Sequence, residues 1–223
     1  MHVAALWRYP VKSMAGERLA AAELTAVGLP GDRVVQVYDR RGRMVTARRF
    51  PRLLRLRATL ERDGEPLVDG LPWDSSEIAA RVEAAVGPGA HLARYDGAER
   101  FDVLPLLVCT DGSVSLFGRD VRRLRPNIVI GGVAGIAERA WQGAALRLPH
   151  AEIGLADLRG RCVMTTYDPD TGEQDPGVLR DIVRRFVGRL CLNAHVIRPG
   201  HLEEGETLEV VAQTLGMPQQ SLP

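Results

Sequence analysis

The chain is almost without lysine. Of its 29 basic residues, one is lysine, Lys12, and the other 28 are arginine. Cysteine is scarce too: Cys109, Cys162 and Cys191 are odd in number and widely spaced, which argues against a disulfide framework and leaves at least one thiol free. No CxxC occurs, which excludes a zinc ribbon or a ferredoxin-type iron–sulfur cluster. The five histidines (His2, His91, His150, His195, His201) show no HExxH or HxH spacing, which argues against a zinc hydrolase. No GxSxG marks a serine hydrolase. No uncharged apolar run approaches the roughly 18 residues that span a bilayer. Residues 1–8 lack the basic-then-apolar order of a secretory signal, so the cytoplasm is the expected location. With a net charge of +1, nothing global points to nucleic acid or to an anionic membrane.

What is present reads as a globular, strand-rich protein. Hydrophobic residues make up 45% of 223, enough to bury a core without disulfides or structural metals. Short apolar runs at 3–7, 19–27, 33–38, 44–47 and 53–60 predict a meander of about five strands, and thus a barrel or sandwich. Asp39-Arg40-Arg41-Gly42 predicts a hairpin turn, with Gly42 at a left-handed position. A helix is predicted from Asp74 and Glu77, at capping-box spacing, to Gly87. Further strands are expected at 103–109, 127–130, 144–148, 151–156, 162–167, 194–197 and 207–211. A second helix starts at Asp175-Pro176, carries the apolar stripe Val178, Leu179, Ile182, Val183 and Phe186, and stops at Gly188. Cys109 and Cys191 read as buried apolar residues.

Chemistry concentrates in a few places. Cys162 follows Arg161 and precedes the acidic turn Asp168-Pro169-Asp170-Thr171-Gly172. The turn fails the EF-hand pattern, since glycine comes at the fifth position and Leu179 at the twelfth. Gly131-Gly132-Val133-Ala134-Gly135 lacks the GxGxxG spacing of a dinucleotide site. Cys162 is then an inert core residue or a thiolate for a soft metal. The remaining groups are Lys12-Ser13, Arg33, Arg48, Arg125-Pro126-Asn127 and Arg161-Cys162. Together they suit an anionic, phosphate-bearing ligand beside a soft metal. Lys12 is either an accident or a compact ammonium placed where a guanidinium does not fit.

Tyr9-Pro10-Val11-Lys12-Ser13, Gly31-Asp32-Arg33, and Thr46-Ala47-Arg48 with Pro51-Arg52-Leu53 resemble the N-terminal β-barrel module of MOSC proteins. Arg125-Pro126-Asn127-Ile128-Val129-Ile130, Trp141, Arg161-Cys162 with Thr165-Thr166, the 168–172 turn, Pro199-Gly200 and Gly205-Glu206 resemble the MOSC domain. The resemblance runs from about residue 3 to residue 211, with the motifs in family order. It implies a mainly β (α+β) fold: an N-terminal barrel module at 1–95, a MOSC β-barrel with a few short helices at 96–213, and a flexible tail at 214–223.

The resemblance also implies a molybdenum cofactor, a pterin dithiolene bearing a phosphate. Cys162 becomes the molybdenum ligand and catalytic residue. Lys12, Ser13, Arg33, Arg125, Asn127 and Arg161 become cofactor contacts, with Thr110, Ser113 and Asn193 as looser matches. The amidoxime-reducing and hydroxylaminopurine-resistance branches of the family imply reduction of small N-hydroxylated compounds. A family-level label of pyridoxal phosphate binding accompanies them. Some relatives carry a cysteine-rich ferredoxin domain that this sequence lacks, so a separate electron donor, a ferredoxin or flavoprotein reductase, is expected. The competing readings are a sulfur or cofactor carrier working through Cys162, and a non-catalytic β-barrel binding module.

Overall fold

The computed structural model describes residues 1–61, 64–95 and 97–212; the expected tail at 214–223 lies outside the described residues. Strands dominate, and the class is mixed α+β. Eight strands form one sheet in the order Glu209–Ala212, Ala144–Arg147, Glu152–Gly160, Arg189–Arg198, Leu106–Thr110, Ile128–Gly131, His2–Arg8, Glu17–Leu19. Its neighbours are antiparallel except Leu106–Thr110 and Ile128–Gly131. A parallel pair needs a crossover of a dozen or more residues, which the segment 111–127 supplies.

The first half adds two three-stranded sheets. One joins Met44–Val45, Val35–Tyr38 and His91–Arg94; the other joins Ala58–Leu60, Pro66–Val68 and Leu71–Pro72. The expected hairpin is present, with Gly42 at φ +70°. Helix α1, Ser76–Val86, packs Ile78 and Val82 inward.

Two cores result. One fills the large sheet around Leu106, Ile128, Ile130, Leu146, Ile153 and Leu192, and it takes in Val3, Leu6 and Leu24 from the start of the chain. The other gathers Val11, Met14, Val35, Leu53, Ile78 and Val82, with Met164 packed against it from the second half. The chain thus begins inside the large sheet and leaves it near Arg8, and Lys12 and Ser13 fall on the stretch that crosses between the cores. Met164 returns the contact from the other side. The site is built at this seam.

Several local expectations change. Residues 53–60 do not form one strand: Pro51–Arg55 is a 3-10 turn with Pro at its start, and only Ala58–Leu60 is extended. Ser75, not Asp74, caps α1, its hydroxyl accepting from the Ile78 N–H. A short helix α2, Asp111–Phe117, follows Thr110 where no element was expected. Helix α3, Pro176–Phe186, starts at Asp175 as read, but its left-handed terminal residue is Val187 (φ +55°), one before Gly188.

The largest correction concerns the cysteines. Cys109 and Cys191 are fully buried as expected, but they are joined by a disulfide, with Cα atoms 4.5 Å apart. The ladder pairs Val108 with Leu192, so the next residues along, Cys109 and Cys191, fall opposite each other. Their separation of 82 residues hides the pairing in the sequence.

Candidate functional site

Cys162 is the free cysteine among the described residues, and its position is fixed from both sides. The preceding strand Glu152–Gly160 ends there, and the Arg161 N–H donates to the Gly188 carbonyl at 2.9 Å. Residues 162–167 are not the expected strand. Cys162 is extended and caps a 3-10 turn, Val163–Thr166. The two threonines explain the turn. Thr165 Oγ1 donates to the Cys162 carbonyl at 2.8 Å and Thr166 Oγ1 to the Val163 carbonyl at 2.6 Å, rewarding a tight turn over an extended chain. The acidic stretch 168–172 is the turn the sequence implies. The Asp168 carboxylate accepts from the Asp170 and Thr171 N–H groups, and Gly172 sits at φ +73°.

Around Cys162 lies a cleft with about 100 Å³ of open interior, lined from both halves of the chain. Lys12, Ser13, Arg33 and Arg48 come from the first half; Arg123, Arg125, Arg159, Arg161 and Asn193 come from the second. Among the described lining residues seven are cationic and one, Asp102, is acidic. Asp102 organises the cations. Its Oδ1 pairs with Lys12 Nζ at 3.0 Å, while its Oδ2 accepts from Arg48 at 2.9 Å and Arg159 at 3.2 Å. Burial pushes the Asp102 carboxyl up, but Lys12, Arg48 and Arg33 outweigh it and hold it below its ordinary value. The neighbouring Cys162 thiol is the main reason the Arg48 pKa is raised.

Several of these groups sit under constraint. Lys12 Nζ donates to the Arg100 carbonyl at 2.8 Å. Ser13 Oγ accepts from the Ala47 N–H at 3.0 Å. Ser13, Arg33 and Arg125 have left-handed backbones, at φ +73°, +57° and +55°. Such a conformation costs on the order of 1–3 kcal/mol per non-glycine residue and clusters where function requires it. Arg125 stacks over Tyr9 at 4.2 Å and donates to the Met14 carbonyl at 2.6 Å. Arg161 donates to the Leu124 carbonyl at 2.7 Å, and its Nε is buried without a partner. Burial brings the pKa of both arginines down to about 10, so they stay charged at neutral pH.

Three expected contacts stand apart from this lining. Thr110 and Ser113 form a capping box on α2, and Thr110 Oγ1 also reaches Glu138 Oε2 at 3.0 Å. Asn127 is fully buried. Its Oδ1 accepts from the Leu107 N–H at 3.1 Å, and its Nδ2 donates to the Trp7 carbonyl at 3.3 Å and Asp32 at 3.4 Å. It ties the loop that carries Arg33 to the loop that carries Arg125. Asn193 does line the cleft, with Nδ2 on Asp157 at 3.0 Å and Oδ1 accepting from Arg159 at 3.3 Å. Asp102, Arg123 and Arg159 were not foreseen. Arg159 had a readable signal, since it sits two positions before Arg161 at a strand end and so shares its face. Asp102 had none.

The MOSC N-terminal beta barrel domain family matches residues 1–88, and the MOSC domain family matches residues 115–209. Mitochondrial amidoxime-reducing component 1 of Mus musculus is 30% identical across 85% of this chain and 72% of its own length. The chain belongs to the MOSC family. The human protein of the same name is 28% identical, over 76% of this MOSC protein and 67% of its own length. A molybdenum cofactor sulfurase of Caenorhabditis briggsae is 25% identical over 92% of this chain and 34% of its own length. Among solved structures, the YuaD protein from Bacillus subtilis shares the fold, with a TM-score of 0.53 at 14% identity, covering 95% of this chain and 96% of that one.

The residues of this MOSC protein fit a molybdenum–pterin group. No cluster of three or more His, Cys, Asp or Glu among the described residues could hold a metal unaided, so a metal at Cys162 needs ligands from a non-protein group. Seven cations facing one carboxylate match a phosphate-bearing, thiolate-rich molecule, and the unpartnered Arg161 Nε is a donor awaiting an acceptor. No helix among the described residues is long and apolar enough to cross a membrane.

Proposed function

We propose that this protein is a molybdenum-cofactor oxidoreductase that reduces small N-hydroxylated compounds, amidoximes and hydroxylamines, at the Cys162 pocket. The observation that carries the reading is the free Cys162 in a cleft with a sevenfold cationic lining and a single acid. The amidoxime-reducing names of relatives near 30% identity support the substrate class.

In this reading the Cys162 thiolate ligates the metal, since the thiolate is the metal-binding form of cysteine. Lys12, Ser13 and Arg33 hold the phosphate end, and Arg125 and Arg161 neutralise charge from the second half. Bound there, the group supplies two-electron oxygen-atom chemistry at its metal. Arg48 shares the cleft with Sγ as a neighbouring cation, and Asp102 Oδ2 holds Arg48 and Arg159 in place. Asp102, kept ionised, can accept a proton but is not a store of one at neutral pH. The two electrons come from a separate ferredoxin or flavoprotein reductase. A pyridoxal phosphate role draws no support from these residues: Lys12 Nζ is engaged by Asp102 and the Arg100 carbonyl.

Benzamidoxime reduction with an artificial electron donor tests the activity. The expected result is turnover in the native protein and a loss of at least about a hundredfold in Cys162→Ser, the range seen when a group central to chemistry is removed. No turnover by cofactor-loaded protein refutes the reductase reading. A second reading, a sulfur or cofactor carrier using Cys162, is favoured by the relative named molybdenum cofactor sulfurase. It predicts a persulfide on Cys162, visible as a sulfur-mass adduct after treatment with a cysteine desulfurase and cysteine, without benzamidoxime turnover.

A further inference from the structure

A second cleft, of about 450 Å³, opens beside the Cys162 pocket and shares Arg123, Arg125 and Met164 with it as a common wall. Its volume lies within the roughly 300–1,000 Å³ range of small-ligand sites. None of the chemistry above uses it. Its lining includes three aromatic residues, Trp7, Tyr9 and Tyr167, and six arginines, with one carboxylate, Asp170, among the described residues.

The arginines are not equally committed. Arg18 pairs with Glu204, Arg122 with Asp120 and Asp170, and Arg123 with Asp168, all at 2.6–2.8 Å. Arg125 is stacked on Tyr9 and spent on the Met14 carbonyl. Arg55 and Arg57 are different: both are exposed, and neither guanidinium has a carboxylate within 4.0 Å among the described residues, the Asp69 carboxylate meeting only the Arg57 backbone N–H. A further donor is unspent. The Trp7 indole N–H is buried with no acceptor. Backbone close packing shapes the floor. A Cβ on Gly16 would run into the Arg8 carbonyl and the Tyr9 ring, so only glycine fits there.

Aromatic faces take a planar ring, and free guanidinium forks take a phosphate, each at little cost in ordering. We infer that this cleft binds a planar aromatic phosphate monoester, of the kind a nucleoside monophosphate presents, with the ring against Trp7 and Tyr167 and the phosphate on Arg55 and Arg57. The site is distinct from the Cys162 pocket and does not depend on the reaction proposed there. Because the two share Arg125 and Met164, its occupant lies one side chain away from the first pocket.

The test is titration of cofactor-free and cofactor-loaded protein with AMP, adenosine and inorganic phosphate, followed by calorimetry and tryptophan fluorescence. Trp73 and Trp141 lie off this cleft, so a fluorescence change that disappears in Trp7→Phe reports the aromatic wall. AMP is expected to bind at one site per chain, at least about tenfold more tightly than adenosine or phosphate, since each of its two halves adds contacts. The double variant R55A/R57A alters two exposed side chains without ion-pair partners, so it keeps its fold, and AMP affinity falls at least about tenfold. Equal affinity for AMP and phosphate overturns the inference, as does undiminished AMP binding in the double variant. AMP binding that is lost on cofactor loading also overturns it, by assigning the cleft to the cofactor site.

Discussion

Lys12 gives the sharpest test of how the Cys162 pocket is built, because two replacements separate its charge from its shape. Its side chain is 8% exposed; Nζ donates to the Arg100 carbonyl at 2.8 Å and pairs with Asp102 at 3.0 Å. Lys12→Met keeps the length of the stem and removes the ammonium. A hydrogen bond from a charged group contributes about 1.5–3 kcal/mol. The ion pair adds less than about 1 kcal/mol, because the Asp102 carboxylate is 31% exposed and keeps Arg48 and Arg159. Methionine recovers part of this by escaping the desolvation of a buried ammonium. The net loss is about 2 kcal/mol, or a melting temperature about 4–8 °C lower for a chain of this size.

Lys12→Arg keeps the charge and changes its form. A planar fork must enter a cleft with about 100 Å³ of open interior already crowded by Arg48 and Arg159, and overpacking costs about 1–3 kcal/mol. Differential scanning fluorimetry reads the stability, and metal analysis with pterin fluorescence reads cofactor retention. The expected pattern is reduced retention in both variants. A Lys12→Arg protein with native melting temperature and native cofactor content would refute the reasoning, and would make the one lysine among 29 basic residues an accident of composition.

Three further outcomes follow from the geometry. Reducing the Cys109–Cys191 bond opens an 82-residue loop, so chain entropy alone predicts a loss of about 4 kcal/mol, measured as a lower melting temperature in reductant. Alkylation of native, unreduced protein then labels Cys162 alone, and three labelled cysteines would contradict the pairing. Asp102 has a depressed folded pKa, so its stabilisation is present above the unfolded value of about 3.9 and is lost as pH falls through the folded one. Denaturant melts should show Asp102→Asn weaker than native by about 1–2 kcal/mol at pH 7, because part of Lys12's compensation is gone, with the gap closing below about pH 4. A gap constant across pH would refute the charge argument. Gly16→Ala should cost about 1–3 kcal/mol because its Cβ meets backbone that cannot yield, and an unchanged melt would show that the chain relaxes there.

Periodic and capping signals carried most of the fold into the sequence. Asp175-Pro176 with its apolar stripe is α3, and Asp39 to Gly42 is the hairpin, because both depend on local backbone chemistry. What escaped depends on tertiary placement. Residues 162–167 look like a strand by β-branched content, yet Thr165 and Thr166 spend their hydroxyls on carbonyls three residues back and wind a 3-10 turn. Cys109 and Cys191 meet only because two distant strands pair in one register. Lys12, Ser13, Arg33, Arg48, Arg125, Arg161 and Cys162 were legible as a group and share one cleft, which Asn193, a looser match, also lines; Asn127 of that group stands apart from it. Thr110 and Ser113 share a familiar spacing with a helix cap, and the cap is where their hydrogen bonds go. Asp102, the acid that holds three of the cations, lies in a segment with no pattern to single it out.

The central claim is that Cys162 holds molybdenum within a cationic pocket. The direct test is the molybdenum and pterin content of native protein and Cys162→Ser, both purified from a host that makes the cofactor. The account predicts about one molybdenum and one pterin per native chain, and less than about a tenth as much metal in the variant, because serine offers no soft ligand. Both proteins should melt alike once stripped of cofactor. No molybdenum in the native protein, or equal amounts in both, would contradict it.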